Sequence, residues 1–328
     1  YSMSSNKIKI LLVGPIGDNV DDFVARISSL QKSKAGPFDA CFSVGQVNAS
    51  ITSHEFPLPV YLQNASGLTE KEGLVELAPN LYALATAQVV SLDIAKTQLV
   101  VASCPPRIHW DSEACKPLRD TVSHVSYVGC DLLLTDEWPQ GVERILEGVS
   151  GDQGSFDAAQ VALEARPRYH VGRAPAHGTF LQSPPFRQLA ATSSTFTPKH
   201  TGRFLCLNPV VSPAEFKQKG KSAKFVHALG ITPLQYMTAV ELQMPEGVLS
   251  NPFTDDSYQT TAATGGSGGG AGLSEAQARR LLSETSSGGD SHARWASKKR
   301  NRDSESNQDE VDNSENMTLF LHGLHKDV

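Results

Sequence analysis

Three observations predict an α/β fold. Ile8–Val13 is an apolar run interrupted only by Lys9, which reads as a buried strand. Val20, Phe23, Val24, Ile27 and Leu30 then recur at helical spacing and give one amphipathic helix. Ala40–Val44 is a second buried, strand-like run, so strand, helix and strand open a βαβ unit whose sheet carries helices on its faces.

The elements follow in order. Gly14-Pro15-Ile16-Gly17-Asp18 turns the chain out of the first strand and into the helix, and Gly36-Pro37 turns it into the second strand. Further strands are expected at Pro59–Gln63, Leu81–Leu84, Val89–Ile94, Gln98–Ala102 and Asp131–Thr135. From Pro167 to about Gly230 the chain turns strand-rich, with Phe204–Leu207 and Phe225–Leu229 the clearest runs.

The 328 residues suffice for one large α/β domain with extra segments. A net charge of -6 leaves no global nucleic-acid footprint, so any RNA contact has to come from a local basic patch. No apolar run approaches the roughly 20 residues a membrane span needs, and the start has no signal-peptide pattern. The five cysteines (Cys41, Cys104, Cys115, Cys130, Cys206) are odd in number and never in a CxxC pair. Buried reduced thiols and an intracellular protein are expected from them.

The folded domain is expected over residues 7–255, with residues 1–6 outside it. Thr260–Gly272 is a Thr/Ala and then Gly/Ser run, Leu273–Leu282 has the pattern of one short helix, and Ser283–Asn316 is polar and mixed in charge. Residues 256–316 therefore read as a disordered linker, because such a segment has no core to offset its chain entropy. Met317–His325 alternates like a strand. It fits either the opening strand of an RNA-recognition motif or a short docking segment.

Six fragments, in order, carry a family resemblance. Gly36-Pro37-Phe38-Asp39-Ala40 followed by Ser43-Val44-Gly45-Gln46 resembles the "GxFD…CVG" segment of the CwfJ family, the Cwf-nineteen-like splicing proteins. Leu132–Pro139 is similar to that family's "LLLTxxWP", and Arg166–His170 to its "KPRYH". Thr201–Leu205 resembles "TRFI", Lys224–Leu229 with Pro233 resembles "KFLHALxPxP", and Asn251-Pro252-Phe253 resembles "NPY". The resemblance covers about residues 7–255. The family usually continues into C-terminal domains bearing Cys and His, and no such segment is present in this sequence.

The N-terminal region of that family resembles the lariat debranching enzyme, a binuclear metallophosphoesterase. The resemblance therefore implies a two-sheet sandwich with flanking helices. It also permits a check of each metal-ligand position, since hydrolysis at a two-metal centre needs carboxylate and imidazole ligands. Where the enzymes carry Gly-Asp-x-His, this chain has Pro15 and Gly17, whose side chains donate no lone pair. Gln46 stands for the bridging Asp, and Ala65 for the His that follows the retained Asn64. Asp136 replaces the His before Trp138-Pro139. The last pair of His falls on Ala174 and Ala176, with His177 displaced by one residue. The expectation is a degenerate metal site: no catalytic residues, no metal and no cofactor.

The remaining candidates are contacts. Asp136 and Glu137 are adjacent carboxylates at a strand end, where sites lie in sheets of this kind, or else a solvated loop pair. Trp138 is either a contact residue or a packing wedge. Arg166, Arg168, His170 and Arg173 form the densest basic cluster in the folded part, placed either to hold phosphates or to make structural salt bridges. The expected contact set is Asp136, Trp138, Arg168, His170 and Arg173. His200, Arg203 and Lys217–Lys224 add a second basic run, and Lys219-Gly220-Lys221-Ser222 is not a P-loop, because Glu215 takes the place of its first Gly and no strand leads into it. His227 reads as a core histidine, and Lys298–Arg302 is compatible with a nuclear import signal.

The resemblance implies a non-catalytic scaffold in pre-mRNA splicing, nuclear, with spliceosomal proteins and the lariat debranching enzyme as partners and RNA as a further contact. The alternatives are an active phosphodiesterase on branched RNA and an RNA-binding adaptor.

Overall fold

The computed structural model describes residues 7–149, 154–174, 180–188, 200–238, 240–242 and 247–254. The linker expected over 256–316 and the strand-like 317–328 lie outside the described residues, as do Ala176, His177 and Lys298–Arg302.

The strands are β1 (Ile8–Val13), β2 (Ala40–Ser43), β3 (Val60–Leu62), β4 (Leu74–Ala78), β5 (Leu81–Leu84), β6 (Gln88–Ile94), β7 (Thr97–Cys104), β8 (Cys130–Thr135), β9 (Pro167–Arg173), β10 (Leu181–Gln182), β11 (Phe186–Arg187), β12 (Thr201–Leu207) and β13 (Val226–Ile231). The helices are α1 (Val20–Gln31), α2 (Lys116–Val122), α3 (Phe156–Ala165) and α4 (Pro213–Lys219).

The strands form two sheets. One runs β13-β1-β2-β3-β5-β4, with β1, β2, β3 and β5 parallel and β13 and β4 antiparallel at its edges. The other runs β10-β12-β9-β8-β7-β6, with β12, β9, β8 and β7 parallel, β6 and β10 antiparallel, and β11 paired to β12. Each sheet thus has a parallel centre that must be covered on both faces, which explains why β2 and β8 are buried at every position.

Alternation along the strands divides the burial. Ile8, Ile10 and Leu12 of β1 meet Leu132, Leu134, Val171 and Leu205 in the core between the sheets. Leu11 and Val13 face the other way, onto Val20, Phe23, Ile27 and Leu30 of α1. On the far side of the second sheet, Leu118 and Val122 of α2 and Val161, Ala162 and Ala165 of α3 cover Ala102, Cys130 and Leu133. The sandwich with helices on its faces is therefore as expected, and all five cysteines are free and buried.

Local chemistry sets the helix ends. Asp21 and Asp22 sit in the first turn of α1, where the helix dipole favours negative charge. Ser155 caps α3 by accepting from the Ala158 amide at 3.2 Å, and Ser212 caps α4 by accepting from the Glu215 amide at 3.3 Å with Pro213 in the first turn. Because Glu215 lies within α4, Gly220–Ala223 leaves a helix rather than a strand, the reverse of phosphate-loop order. No helix among the described residues is long and apolar enough to cross a membrane.

Candidate functional site

The carboxyl ends of the parallel strands of both sheets meet at one end of the sandwich. This is where ligands bind in sheets of this kind. The floor is held by Gln63, the residue after β3, which is fully buried. Its Oε1 accepts from the Gly45 amide at 3.2 Å and its Nε2 donates to the Cys104 carbonyl at 2.6 Å, so one neutral amide links β2, β3 and β7 across the two sheets. Ser43 adds a hydroxyl bond to the Gly14 carbonyl at 3.1 Å.

Gly45 has a left-handed φ of 84°, and a Cβ there would lie 2.6 Å from Pro15 Cγ and 3.0 Å from Asp136 Oδ1. The Pro15 ring and the Asp136 carboxylate thus close on the bare Gly45 backbone, and no side chain fits between them.

Asp136 is buried, and its Oδ1 lies 3.2 Å from Arg173 Nε, whose side chain is 51% exposed. The contact is an ion pair without hydrogen-bond alignment, since Oδ1 is left without an aligned donor. Asn64 supplies the third polar group. Its Oδ1 accepts from the Ser66 amide at 3.1 Å, and its Nδ2, which lacks a well-aligned partner, is close enough to favour the charged form of Asp136. Burial nonetheless wins and raises the Asp136 pKa, opposed by Arg173 and Asn64 and helped by Glu137.

These residues do not fit a two-metal centre. Pro15, Ala65 and Ala174 are buried apolar groups, Gln46 is exposed, and Gly17 has no side chain, its amide bonding to the Gln46 carbonyl at 2.9 Å. Asp136, the carboxylate at the centre, is answered by a guanidinium. Among the described residues no group of three or more His, Cys, Asp and Glu side chains stands close enough to hold an ion.

The expected contact residues do not share one surface. Asp136 and Arg173 come together at the strand ends. Trp138 is buried edge-on against Phe204 at 5.2 Å, beside Val142, Leu146 and Ala174, in the packing role. His170 is fully buried and also packs edge-on against Phe204, at 5.1 Å. Its place follows from alternation: Tyr169 and Val171 of β9 face the inter-sheet core, so residue 170 points to the opposite face. The Thr135 hydroxyl donates to the Glu137 carbonyl at 2.9 Å, so it accepts from His170 Nε2 at 2.8 Å, and Nδ1 is left as an unpartnered acceptor. Burial pushes the His170 pKa down to about 3.

Arg168 belongs to the other end of the strands. It pairs with buried Asp131 at 3.7 Å, donates to the Thr232 carbonyl and is 14% exposed. Arg166 is buried at the left-handed end of α3 and donates to the Val122 and Tyr127 carbonyls at 3.3 and 3.0 Å. The cluster that is contiguous in sequence is therefore split by strand geometry, and only Arg173 reaches the cleft.

Two polar groups were not singled out from sequence. Gln63 ends an apolar run, the one signal it offered. Lys224, which the sequence places in a family-like fragment and in a basic run but not among the contact residues, donates to His227 Nδ1 at 2.9 Å on the other flank of the same end.

No known family profile matches the chain. It is 26% identical to a CWF19-like protein 1 homolog of Caenorhabditis elegans over 263 residues, 73% of this chain and 46% of that protein. It is 30% identical to zinc finger CCCH domain-containing protein 64 of Arabidopsis thaliana, over 71% of this chain and 42% of that one. CWF19-like protein 1 of Xenopus laevis is 23% identical over 80% of this chain and 52% of its own length. The chain spans about half the length of the curated relatives it matches. Among solved structures, purple acid phosphatase PPD1 from yellow lupin overlaps 65% of this chain and 47% of its own, with 10% identity and a TM-score of 0.34. TT1561 of Thermus thermophilus overlaps 62% of this chain and 89% of its own, with 10% identity and a TM-score of 0.33.

The fold defines a two-sheet α/β sandwich with its candidate site at the carboxyl ends of the strands. Within that class, the chain is a relative of the CWF19-like proteins, the family its motifs resemble.

Proposed function

We propose that this chain is a non-catalytic, metallophosphoesterase-like module of the pre-mRNA splicing machinery. It acts as a nuclear scaffold that works beside the late, intron-lariat spliceosome and the lariat debranching enzyme. The splicing assignment comes from its CWF19-like relatives. One observation supports the non-catalytic assignment: the carboxylate at the cleft, Asp136, is paired with Arg173. In support, Pro15, Ala65 and Ala174, at the positions where the family resemblance would put metal ligands, are buried apolar groups. Without ligands of that kind the protein has no means of generating a metal-bound hydroxide or of stabilising a leaving alkoxide. In this reading, partner contact at the cleft falls to Arg173, because Arg168, His170 and Trp138 are engaged inside the fold.

The test is metal content and turnover together. Purified protein should retain no stoichiometric Mn, Fe or Zn and should cleave neither branched RNA nor a generic phosphodiester when these ions are supplied. Stoichiometric metal with turnover that Asp136→Ala abolishes would overturn the reading in favour of a rebuilt phosphodiesterase.

A further inference from the structure

Lys224 is a half-buried ammonium with no carboxylate partner among the described residues. Its polar partner is His227 Nδ1 at 2.9 Å, and its Nζ lies 4.0 Å from the centroid of the Phe180 ring. Phe180 and His227 stack at 5.8 Å with 19° between their planes, so the two rings form a wall against which the lysine head is set. An ammonium only donates, so His227 Nδ1 must accept, and His227 is neutral with its proton on Nε2. Burial first, and the Lys224 charge second, push the His227 pKa down to about 4. The segment 175–179 that leads into Phe180 contains no Asp or Glu.

The backbone fixes this head at the junction of the two sheets. The Lys224 carbonyl accepts from the Asn208 amide at 3.2 Å, and the Phe225 carbonyl accepts from the Gly14 amide at 2.9 Å. Asn208 directly follows β12, whose Leu207 pairs with Arg173, so Lys224 flanks the same strand ends on the side away from Asp136.

A charge taken out of water without a counter-charge is costly, and burial lowers the Lys224 pKa. His227 occupies one of its N–H groups, and the aromatic wall can offer only partial compensation for the positive charge. The remaining donor capacity and the net charge are what a compact oxyanion complements, and a lysine head is a point-charge binder of phosphate. Arg173 is less suited, because its Nε is already committed to Asp136.

We propose that Lys224, positioned by Phe180 and His227, anchors a phosphate-class oxyanion at the strand-end mouth of the sandwich. The ligand chemistry is a phosphate oxygen, supplied either by an RNA phosphodiester or by a free phosphate compound. This inference goes beyond the non-catalytic reading and stands whether or not the chain turns over a substrate.

The test uses the full chain in EDTA, so that metal binding cannot be mistaken for anion binding. Two probes are used, inorganic pyrophosphate and a short single-stranded RNA. The primary readout is the acylation rate of Lys224 by an amine-reactive reagent, followed by mass spectrometry and referred to Lys32 and Lys34. At least one of the two probes should slow acylation at Lys224 about tenfold and leave the reference lysines unchanged. Protection by pyrophosphate identifies a small-anion site, and protection by RNA alone identifies a phosphodiester site. Lys224→Met should weaken binding of the protecting probe about tenfold and, for RNA, reduce the slope of log K against log salt by about 0.7. Equal acylation with and without both probes would overturn the proposal, as would wild-type affinity in a folded Lys224→Met chain. If that variant does not fold, the acylation arm on the unmutated chain decides. Metal-dependent turnover would defeat the non-catalytic reading and leave this result untouched.

Discussion

Strands β8 and β9 carry an Asp–Arg pair at each of their ends, and the two pairs are built differently. At the entering end Asp131 is fully buried, with its Oδ2 accepting from the Val100 amide at 3.0 Å and its Oδ1 from the Leu234 amide at 2.6 Å, while Arg168 stands 3.7 Å away. At the leaving end Asp136 is equally enclosed, yet its Oδ1 has no aligned donor and its arginine is half in solvent. The same residue types on the same strands are thus satisfied at one end and under-satisfied at the other. Satisfaction marks the pair that holds the sandwich together. An under-satisfied buried carboxylate in a row of strand-end loops is instead the kind of group found at functional sites, in keeping with the partner contact proposed for Arg173.

The largest expected effect breaks the satisfied end. Asp131→Ala strands two backbone amides and the Arg168 charge in a buried setting, and should cost about 3–5 kcal/mol in urea denaturation. A loss no greater than that of a surface substitution would erase the contrast between the ends.

An intermediate effect depends on pH. His170 has its pKa pushed down to about 3 by burial, against an ordinary 6.5. The unfolded chain therefore takes up a proton that the folded chain refuses as pH falls below 6.5, and stability present above 6.5 is lost towards about 3. The loss attributable to this group approaches about 1.4 kcal/mol per pH unit. His170→Phe keeps the ring packing on Phe204 and should match the wild type within about 1 kcal/mol near neutral pH. Below pH 6.5 the variant should lose stability more slowly than the wild type, as read from thermal unfolding across a pH series. Parallel pH curves would show that the ring is not held neutral.

The smallest effect belongs to the under-satisfied end. Arg173→Met should cost about 1 kcal/mol or less, because the guanidinium is half-exposed and Asp136 can take a proton in its absence. A cost matching that of Asp131→Ala would make Arg173 a structural residue and remove it from the set of partner contacts.

These differences explain what was legible in the sequence. β1, α1, β2 and β8 could be read because their apolar periodicity is strong, and Pro15, Gly17, Ala65 and Ala174 could be read as side chains that offer no ligand atom whatever their placement. Helix α3 was missed because Phe156–Ala165 is rich in alanine, which gives a weak contrast between faces, and α4 was hidden by its charged run, with none of its residues buried. The candidate site was half legible. Asp136 and Arg173 were named, but Arg168 and His170 were grouped with them by adjacency in the chain. An extended strand sends alternate side chains to opposite faces and carries its two ends apart by about 3.3 Å per residue. Gln63 escaped because a polar residue beside an apolar run reads as the point where the chain meets solvent, and only its tertiary contacts reveal that it is fully buried. The grouping of Lys224 with Phe180 and His227 exists only once the chain is folded.

Gln63 has a further consequence for how anything can dock here. By accepting from the Gly45 amide and donating to the Cys104 carbonyl, it works as a crossbar between the sheets and fixes how wide the mouth stands. Among the described residues, that bridge ties the ends of β2, β3 and β7 to one another through a single side chain. A partner that docks against a braced end of this kind meets a surface already in place, so its encounter rate should follow diffusion and charge steering rather than a slow rearrangement of the host.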